Sequence, residues 1–177
     1  MPKKTCPHPP DIDIDTHWPV LNTTTTRIIR AIYRNRKFIF THDIKLVERS
    51  DLTWCQLETL VALRITSMPY QMSPTALYDA VQVTSGGLTK ILNGLEERDL
   101  IARIDNPKDR RSRLVCLTSK GKTLVEKIIN RLTETNNEML ASIFSQDERE
   151  QLDLLLGRLL EALEVRHYND NRCCGDT

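Results

Sequence analysis

Apolar residues return with a helical period along most of this chain, and the breaks in that rhythm locate everything else. From about residue 19 to 50, Ile28, Ile29, Ile32, Tyr33, Ile39 and Phe40 recur among Arg27, Arg30, Arg34, Arg36 and Lys37, which predicts a long first helix. Its start is left open by Thr23 to Thr26, a β-branched run of weak helix formers. Thr53 and Gln56 make a T-x-x-Q capping box ahead of Leu57, Leu60, Val61 and Leu63. A second helix therefore runs from about Thr53 to Thr66, and Met68-Pro69-Tyr70 ends it. Ser73 caps a short third helix, with Pro74 in the favoured first position, and that helix is over by about Val81. Thr84 caps a fourth. Met72 with Leu77, and Val83 with Leu88, stand at the positions of hydrophobic staples at these two starts.

Beyond the fourth helix the period shortens. Leu100 to Ile104 and Leu114 to Leu117 read as two short strands with Asn106-Pro107 at the turn. Between them lies the basic run Lys108 to Arg113. The helical period then resumes, through Leu124, Ile128, Leu132, Met139 and Ile143 for a fifth helix. Ser145 and Glu148 form an S-x-x-E box that opens a sixth, with the stripe Leu152, Leu155, Leu156, Leu159 and Leu163. Residues 1–18 read as a flexible arm, and the polar stretch 166–177 as a disordered tail.

Two capped helices this close together form a helix-turn-helix pattern, and the two strands after them make a wing. The fourth helix has two unlike faces. Leu88, Ile91, Leu92 and Leu95 point one way, and Ser85, Gly86, Thr89, Lys90 and Asn93 the other. Serine, threonine, lysine and asparagine are side-chain types that reach base edges in the major groove. Gly86 and Gly87, in the first turn, would let the backbone approach a duplex closely. Taken alone, the polar face could equally be an ordinary solvated helix surface. The loop beside it shifts the balance, because Arg110, Arg111 and Arg113 suit the negative potential of a minor groove. Asp109 is unfavourable next to DNA and reads instead as an anchor that pairs with a wing arginine. The expected fold class is mainly α with a small β wing, a winged helix-turn-helix DNA-binding domain plus a helical dimerisation region. Candidate DNA contacts are Ser73, Thr84, Ser85, Gly86, Gly87, Thr89, Lys90, Asn93, Lys108, Asp109, Arg110, Arg111 and Arg113.

Charge sharpens this reading through its distribution. The chain of 177 residues has a formal net charge of only +1. Thr84 to Lys122 holds nine Lys/Arg against five Asp/Glu, a local +4, whereas Glu126 to Glu164 holds four against nine, a local −5. One basic end and one acidic end suit a protein that touches phosphate with one part only. No stretch approaches the roughly 18 apolar residues of a membrane helix. The first fifteen residues lack the apolar core of a signal peptide, so a cytoplasmic protein is expected.

The motifs converge on one family. D-x-R-x-x-x-V-x-L-T stands here as Asp109, Arg111, Val115, Leu117 and Thr118, followed by Ser119-Lys120-Gly121 where a helix begins. Leu52, Thr53 and Gln56 supply L-T-x-x-Q, and Leu92, Leu95, Arg98 and Asp99 to Ile101 supply L-x-x-L-x-x-R-D-L-I. Over about Ile28 to Leu163 the chain resembles the MarR family of bacterial and archaeal transcription regulators. The resemblance implies a homodimeric repressor or activator on a palindromic double-stranded operator, with the first, fifth and sixth helices forming the dimer interface. It also implies relief of binding by a small phenolic, aromatic or purine effector. The expected organisation is an arm at 1–18, a first dimerisation helix at 19–50, the winged domain at 51–118, dimerisation helices at 119–165 and a tail at 166–177. The uncovered leucine stripe of the sixth helix argues for dimerisation independently, its alternative being packing against the chain's own first or fifth helix.

Within the family, Pro69 to Glu96 resembles the urate-responsive subgroup. Glu58 matches that subgroup's acidic residue on the second helix, while Ile91 stands where it has an arginine. Trp18, Arg30 and Glu58 are the candidate effector ligands. A redox mechanism is the rival, through Cys6, Cys173 and Cys174; Cys55 and Cys116 read as packing residues. No catalytic residue, metal site or cofactor is expected, since H-x-x-x-H, G-x-S-x-G and P-loop patterns are absent. A winged helix that binds protein instead of DNA is the remaining alternative, and a basic wing argues against it.

Overall fold

The computed structural model describes residues 18, 22–81, 83–107 and 112–173, with side chains as far as Arg166. Along the chain run α1 (Thr24–Glu48), α2 (Trp54–Arg64), β1 (Gln71–Met72), α3 (Pro74–Val81), α4 (Ser85–Glu97), β2 (Ile101–Asp105), β3 (Arg113–Leu117), α5 (Ser119–Ile143) and α6 (Gln146–Cys173). The chain forms two compact units, residues 1–57 and 58–177, which divide inside α2.

The first unit is dominated by α1. The threonine run that left its start open is the start itself: Thr23 is the N-cap, and its hydroxyl oxygen accepts the N–H of Thr26 at 3.1 Å. Val47, Leu52 and Leu57 are buried in this unit, and Phe40 meets Trp54 edge to face at 4.9 Å. Upstream of these the helix is bare. Ile28, Ile29, Tyr33, Phe38 and Ile39 are all exposed, Tyr33 at 70%.

The second unit holds the winged part and both C-terminal helices. Its buried residues include Leu60, Leu63, Leu77, Leu88, Leu92, Leu95, Leu100, Ile101, Val115, Leu117, Val125, Ile128 and Leu132. Each fully buried leucine or isoleucine stabilises the fold by roughly 1.5–3 kcal/mol relative to exposure. Val125, Ile128 and Leu132 lie on α5, so this helix supports the winged core as well as offering a surface.

The sheet has the order β1-β3-β2, antiparallel throughout. Ile101 faces Leu117, Arg103 faces Val115, and Asp105 faces Arg113. Strand β1, two residues long, adds a third strand that the spacing alone does not predict; Gln71 faces Cys116 and Met72 faces Val115. The Leu117 N–H donates to the Tyr70 carbonyl at 3.0 Å and continues that edge.

Helix α6 departs from expectation at its end. It continues to Cys173, past the boundary expected at residue 165. Polar composition suggested disorder, but no glycine or proline interrupts the chain between Gly157 and Gly175. Extending an existing helix also avoids the cost of nucleation.

Candidate nucleic-acid interface

Capping builds α2 and the two helices of the helix-turn-helix, α3 and α4. At α2, the Thr53 N–H donates to Gln56 Oε1 at 2.9 Å, and the Gln56 N–H to Thr53 Oγ1 at 3.3 Å, the reciprocal capping box. The Ala76 N–H donates to Ser73 Oγ at 3.1 Å at the start of α3. Thr84 Oγ1 accepts the N–H of Gly87 at 3.1 Å at the start of α4. A Cβ added at Gly87 would lie 3.0 Å from that same oxygen, so glycine keeps the cap undisturbed. A Cβ at Gly86 would meet nothing within 4 Å, consistent with a residue whose surface is open to an approaching molecule.

Helix α4 then turns its leucines inward and its polar residues outward. Leu88, Leu92 and Leu95 are buried, while Thr84, Ser85, Gly86, Thr89, Lys90 and Asn93 are exposed and Gly87 and Ile91 are half-buried. The helix ends in a Schellman turn. The Leu100 N–H reaches the Leu95 carbonyl at 3.0 Å, and the Asp99 N–H reaches Glu96 at 2.9 Å. Asp99 takes the left-handed conformation usual for glycine there, with φ 56°; aspartate is among the residues that tolerate it.

That turn is clamped by the start of α5. The Thr118 hydroxyl donates to the Asp99 carbonyl at 2.7 Å, and its oxygen accepts the Gly121 N–H at 3.0 Å. Lys120 Nζ donates to the Arg98 carbonyl at 2.7 Å, a cation at the C-terminal end of α4 where the helix dipole favours one. Gly121 is buried so closely that a Cβ there would stand 2.0 Å from the Leu100 carbonyl oxygen. The R-D-L-I and L-T-S-K-G motifs are thus two halves of one joint.

The hairpin is braced at its base. Asn106 and Ser112 join the strands through side chains at 2.9 Å and through the Asn106 N–H and Ser112 carbonyl at 3.3 Å. Arg113 folds back on the hairpin, its Nη2 donating to the Arg103 carbonyl at 3.0 Å and its Nε 3.8 Å from Asp105 Oδ1. Its contacts are those of a brace, a role the sequence had suggested for Asp109. Lys108, Asp109, Arg110 and Arg111 lie outside the described residues. Sequence reasoning missed Arg103 on β2, whose guanidinium lies between Asn93 and Glu96 of α4.

A second charged cluster supports the sheet's outer edge. Arg64 Nε lies 2.7 Å from Glu126 Oε1, and both Arg64 and Lys122 stand over the Tyr70 ring, at 5.0 and 5.6 Å. The hydrogen bond to Glu126 holds the Arg64 guanidinium above its ordinary pKa.

The candidate effector residues are not gathered into one described site. Arg30 lines an open concavity on α1 with Arg27, Ala31, Arg34, Asn35 and Phe38, which does not include Trp18. Trp18 is exposed, and Glu58 lies exposed on α2 at the start of the second unit. Of the candidate redox thiols, Cys6, Cys174 and the Cys173 side chain lie outside the described residues. Cys55 and Cys116 are half-buried and in no disulfide, and the Cys116 thiol donates to the Pro69 carbonyl at 3.3 Å. No described helix is long and apolar enough to cross a membrane.

Two capped helices, a three-stranded wing sheet and an exposed polar face on the second helix define a winged helix-turn-helix of the DNA-binding type. Residues 50–112 match the MarR family. Over 128 residues the chain is 30% identical to the HTH-type transcriptional regulator PecS of Dickeya dadantii, covering 72% of this chain and 74% of that protein. The fold matches a cysteine mutant of MarR from E. coli with a TM-score of 0.66 at 25% identity, over 74% of this chain and 94% of that one. It also matches a mutant of S. aureus MepR bound to an oligodeoxyribonucleotide, with a TM-score of 0.56 at 26% identity, over 80% and 99% of the two chains. The chain belongs to the MarR family of transcriptional regulators. That family consists of regulators, not enzymes.

Proposed function

We propose that this protein is a sequence-specific repressor that binds a palindromic operator in the cytoplasm as a homodimer and is released by a small effector. The observation that carries the reading is α4, whose leucines are buried and whose exposed face gathers Thr84, Ser85, Gly86, Thr89, Lys90 and Asn93. In this reading residues 51–118 bind DNA, and residues 19–50 and 119–165 hold the dimer. Exposed Leu154, Leu155, Leu156, Leu160 and Leu163 on α6 support the second part, since apolar surface of that extent is normally covered. A twofold pair would set two α4 helices on half-sites about 34 Å apart, one turn of DNA. The concavity on α1, with three arginines and Phe38, suits a small aromatic anion as effector.

Fluorescence anisotropy with DNA from the intergenic region beside the gene tests the core of this reading. The expected result is tight binding that weakens linearly in log–log form as salt rises. Arg111→Ala should weaken binding to every sequence, whereas Lys90→Ala should change base preference. Equal affinity for that DNA and a shuffled copy would overturn it. The effector is tested by calorimetric titration, where no heat with millimolar salicylate or urate rules out those two compounds.

A further inference from the structure

The wing is tied to the reading helix through one side chain. Arg103 sits on β2 opposite Val115 and is only 29% exposed. Its Nη2 donates to Asn93 Oδ1 at 2.6 Å, and its Nη1 lies 3.4 Å from Glu96 Oε2. Asn93 and Glu96 are three residues apart on α4 and share a face, so one planar guanidinium spans both. The backbone behind it is held as well, because the Arg103 carbonyl accepts from Arg113.

This contact decides which end of the Asn93 amide is offered to solvent. A guanidinium has donors and no acceptor, so the amide oxygen must face Arg103 and the NH2 group must point away. An asparagine that reads adenine does so bidentately, giving an N–H to N7 and accepting from N6. With its oxygen engaged by a cation, Asn93 meets DNA as a donor. Major-groove acceptors are N7 and O6 of guanine, O4 of thymine and N7 of adenine. On adenine, however, N7 stands beside the N6 donor, which a donor-only Asn93 leaves unanswered, so the bidentate advantage of adenine is lost.

We infer that Arg103 is a positioning residue that sets base choice at Asn93, turning it into a donor that selects guanine or thymine over adenine. This rests on the proposed DNA-binding function and adds a specificity element outside the helix-turn-helix.

Selection from a randomised duplex pool, with sequencing of the bound fraction, tests it. Wild type should enrich guanine or thymine at one position of each half-site, the position where Asn93→Ala loses its preference. Arg103→Met, which frees the amide oxygen, should raise adenine at that position about fivefold or more relative to wild type, the lower end of what a bidentate pair contributes. Arg103→Lys keeps a charge but not the planar fork, and should fall between the two. Asn93→Asp keeps the link to Arg103 and replaces the NH2 by an acceptor, so preference should move to the bases whose amino groups donate, cytosine through N4 or adenine through N6. This exposed substitution carries the test if Arg103→Met fails to fold. The inference is overturned if Arg103→Met weakens all sequences alike with an unchanged profile, or if Asn93→Asp selects the wild-type base. Should wild type enrich no sequence, the DNA-binding reading itself fails and this one with it.

Discussion

Helices α4 and α6 are both rich in leucine, and their leucines end in opposite environments. On α4, Leu88, Leu92 and Leu95 are buried, and the polar residues face out. On α6, Leu155 and Leu163 are each 51% exposed and Leu154 and Leu160 more so. The difference lies in what the chain provides opposite each helix. The winged core answers α4 from within, leaving its polar face available for a molecule with an edge to read. Within the second unit the leucines of α6 are left exposed, which is what the proposed association with another copy would cover. Folding completes one helix and leaves the other with its leucines uncovered.

That contrast can be attacked at its internal side first. Gly121→Ala places a methyl group 2.0 Å from a backbone carbonyl that cannot step aside. The expected cost is about 4 kcal/mol or more, the range reserved for changes with no room to relax, read by urea or thermal unfolding. A variant that melts within a degree or two of wild type would show that α5 and the α4–β2 turn are not in close contact. The associative side comes next. Leu155→Glu with Leu160→Glu should convert the proposed dimer to monomer in sedimentation velocity while leaving the helical circular dichroism in place. Operator affinity should drop by about a hundredfold or more, as expected when two linked contacts become independent. A double variant that remains dimeric would break the comparison.

Smaller effects sharpen it. Thr84→Ala removes the hydroxyl that caps α4, and should lower stability by about 1 kcal/mol in chemical unfolding. A loss below the error of the measurement would mean that the cap contributes nothing beyond what water supplies. The smallest effect is expected at the start of α6. There the Ser145 N–H, donating to Glu148 Oε2 at 2.8 Å and helped by the Ser145 hydroxyl, holds the Glu148 carboxyl below its ordinary pKa. A depressed folded value contributes stability above the usual carboxylate range, and that contribution is lost as pH falls through the folded value. Glu148→Gln should therefore sit slightly below wild type at neutral pH, with the gap closing in acid. A gap that widens in acid contradicts the assignment.

Most elements were legible because their signals are local. The capping residues at Thr53, Ser73, Thr84 and Ser145 announce their helices within four residues, and each makes the predicted hydrogen bond. Features that depend on distant pairing were not. Strand β1 is two residues long and exists only because β3, far along the chain, lies beside it. Arg103 reads as one more cation on a strand until the β2–β3 register and the closing turn of α4 bring it to Asn93 and Glu96. The end of α6 was misread because polar composition is a weaker guide than the absence of a helix breaker. An effector pocket is a harder case, because it is assembled from several elements and no short motif encodes it.

The tight seat of Gly121 has a mechanical consequence. Helix α5 has 25 residues, which makes it a stiff rod about 37 Å long. Its foot is pinned backbone to backbone at Leu100, and its far end carries exposed Ile143. Pinned at Gly121 and packed through Val125, Ile128 and Leu132, the rod cannot slide, and a load on its exposed half would be taken up as tilt. A tilt of about ten degrees carries the far end through about 6 Å, and the same gearing runs in reverse. A force on the distal end would therefore be felt at the corner where the reading helix stops and the wing begins, with displacement reduced and torque increased.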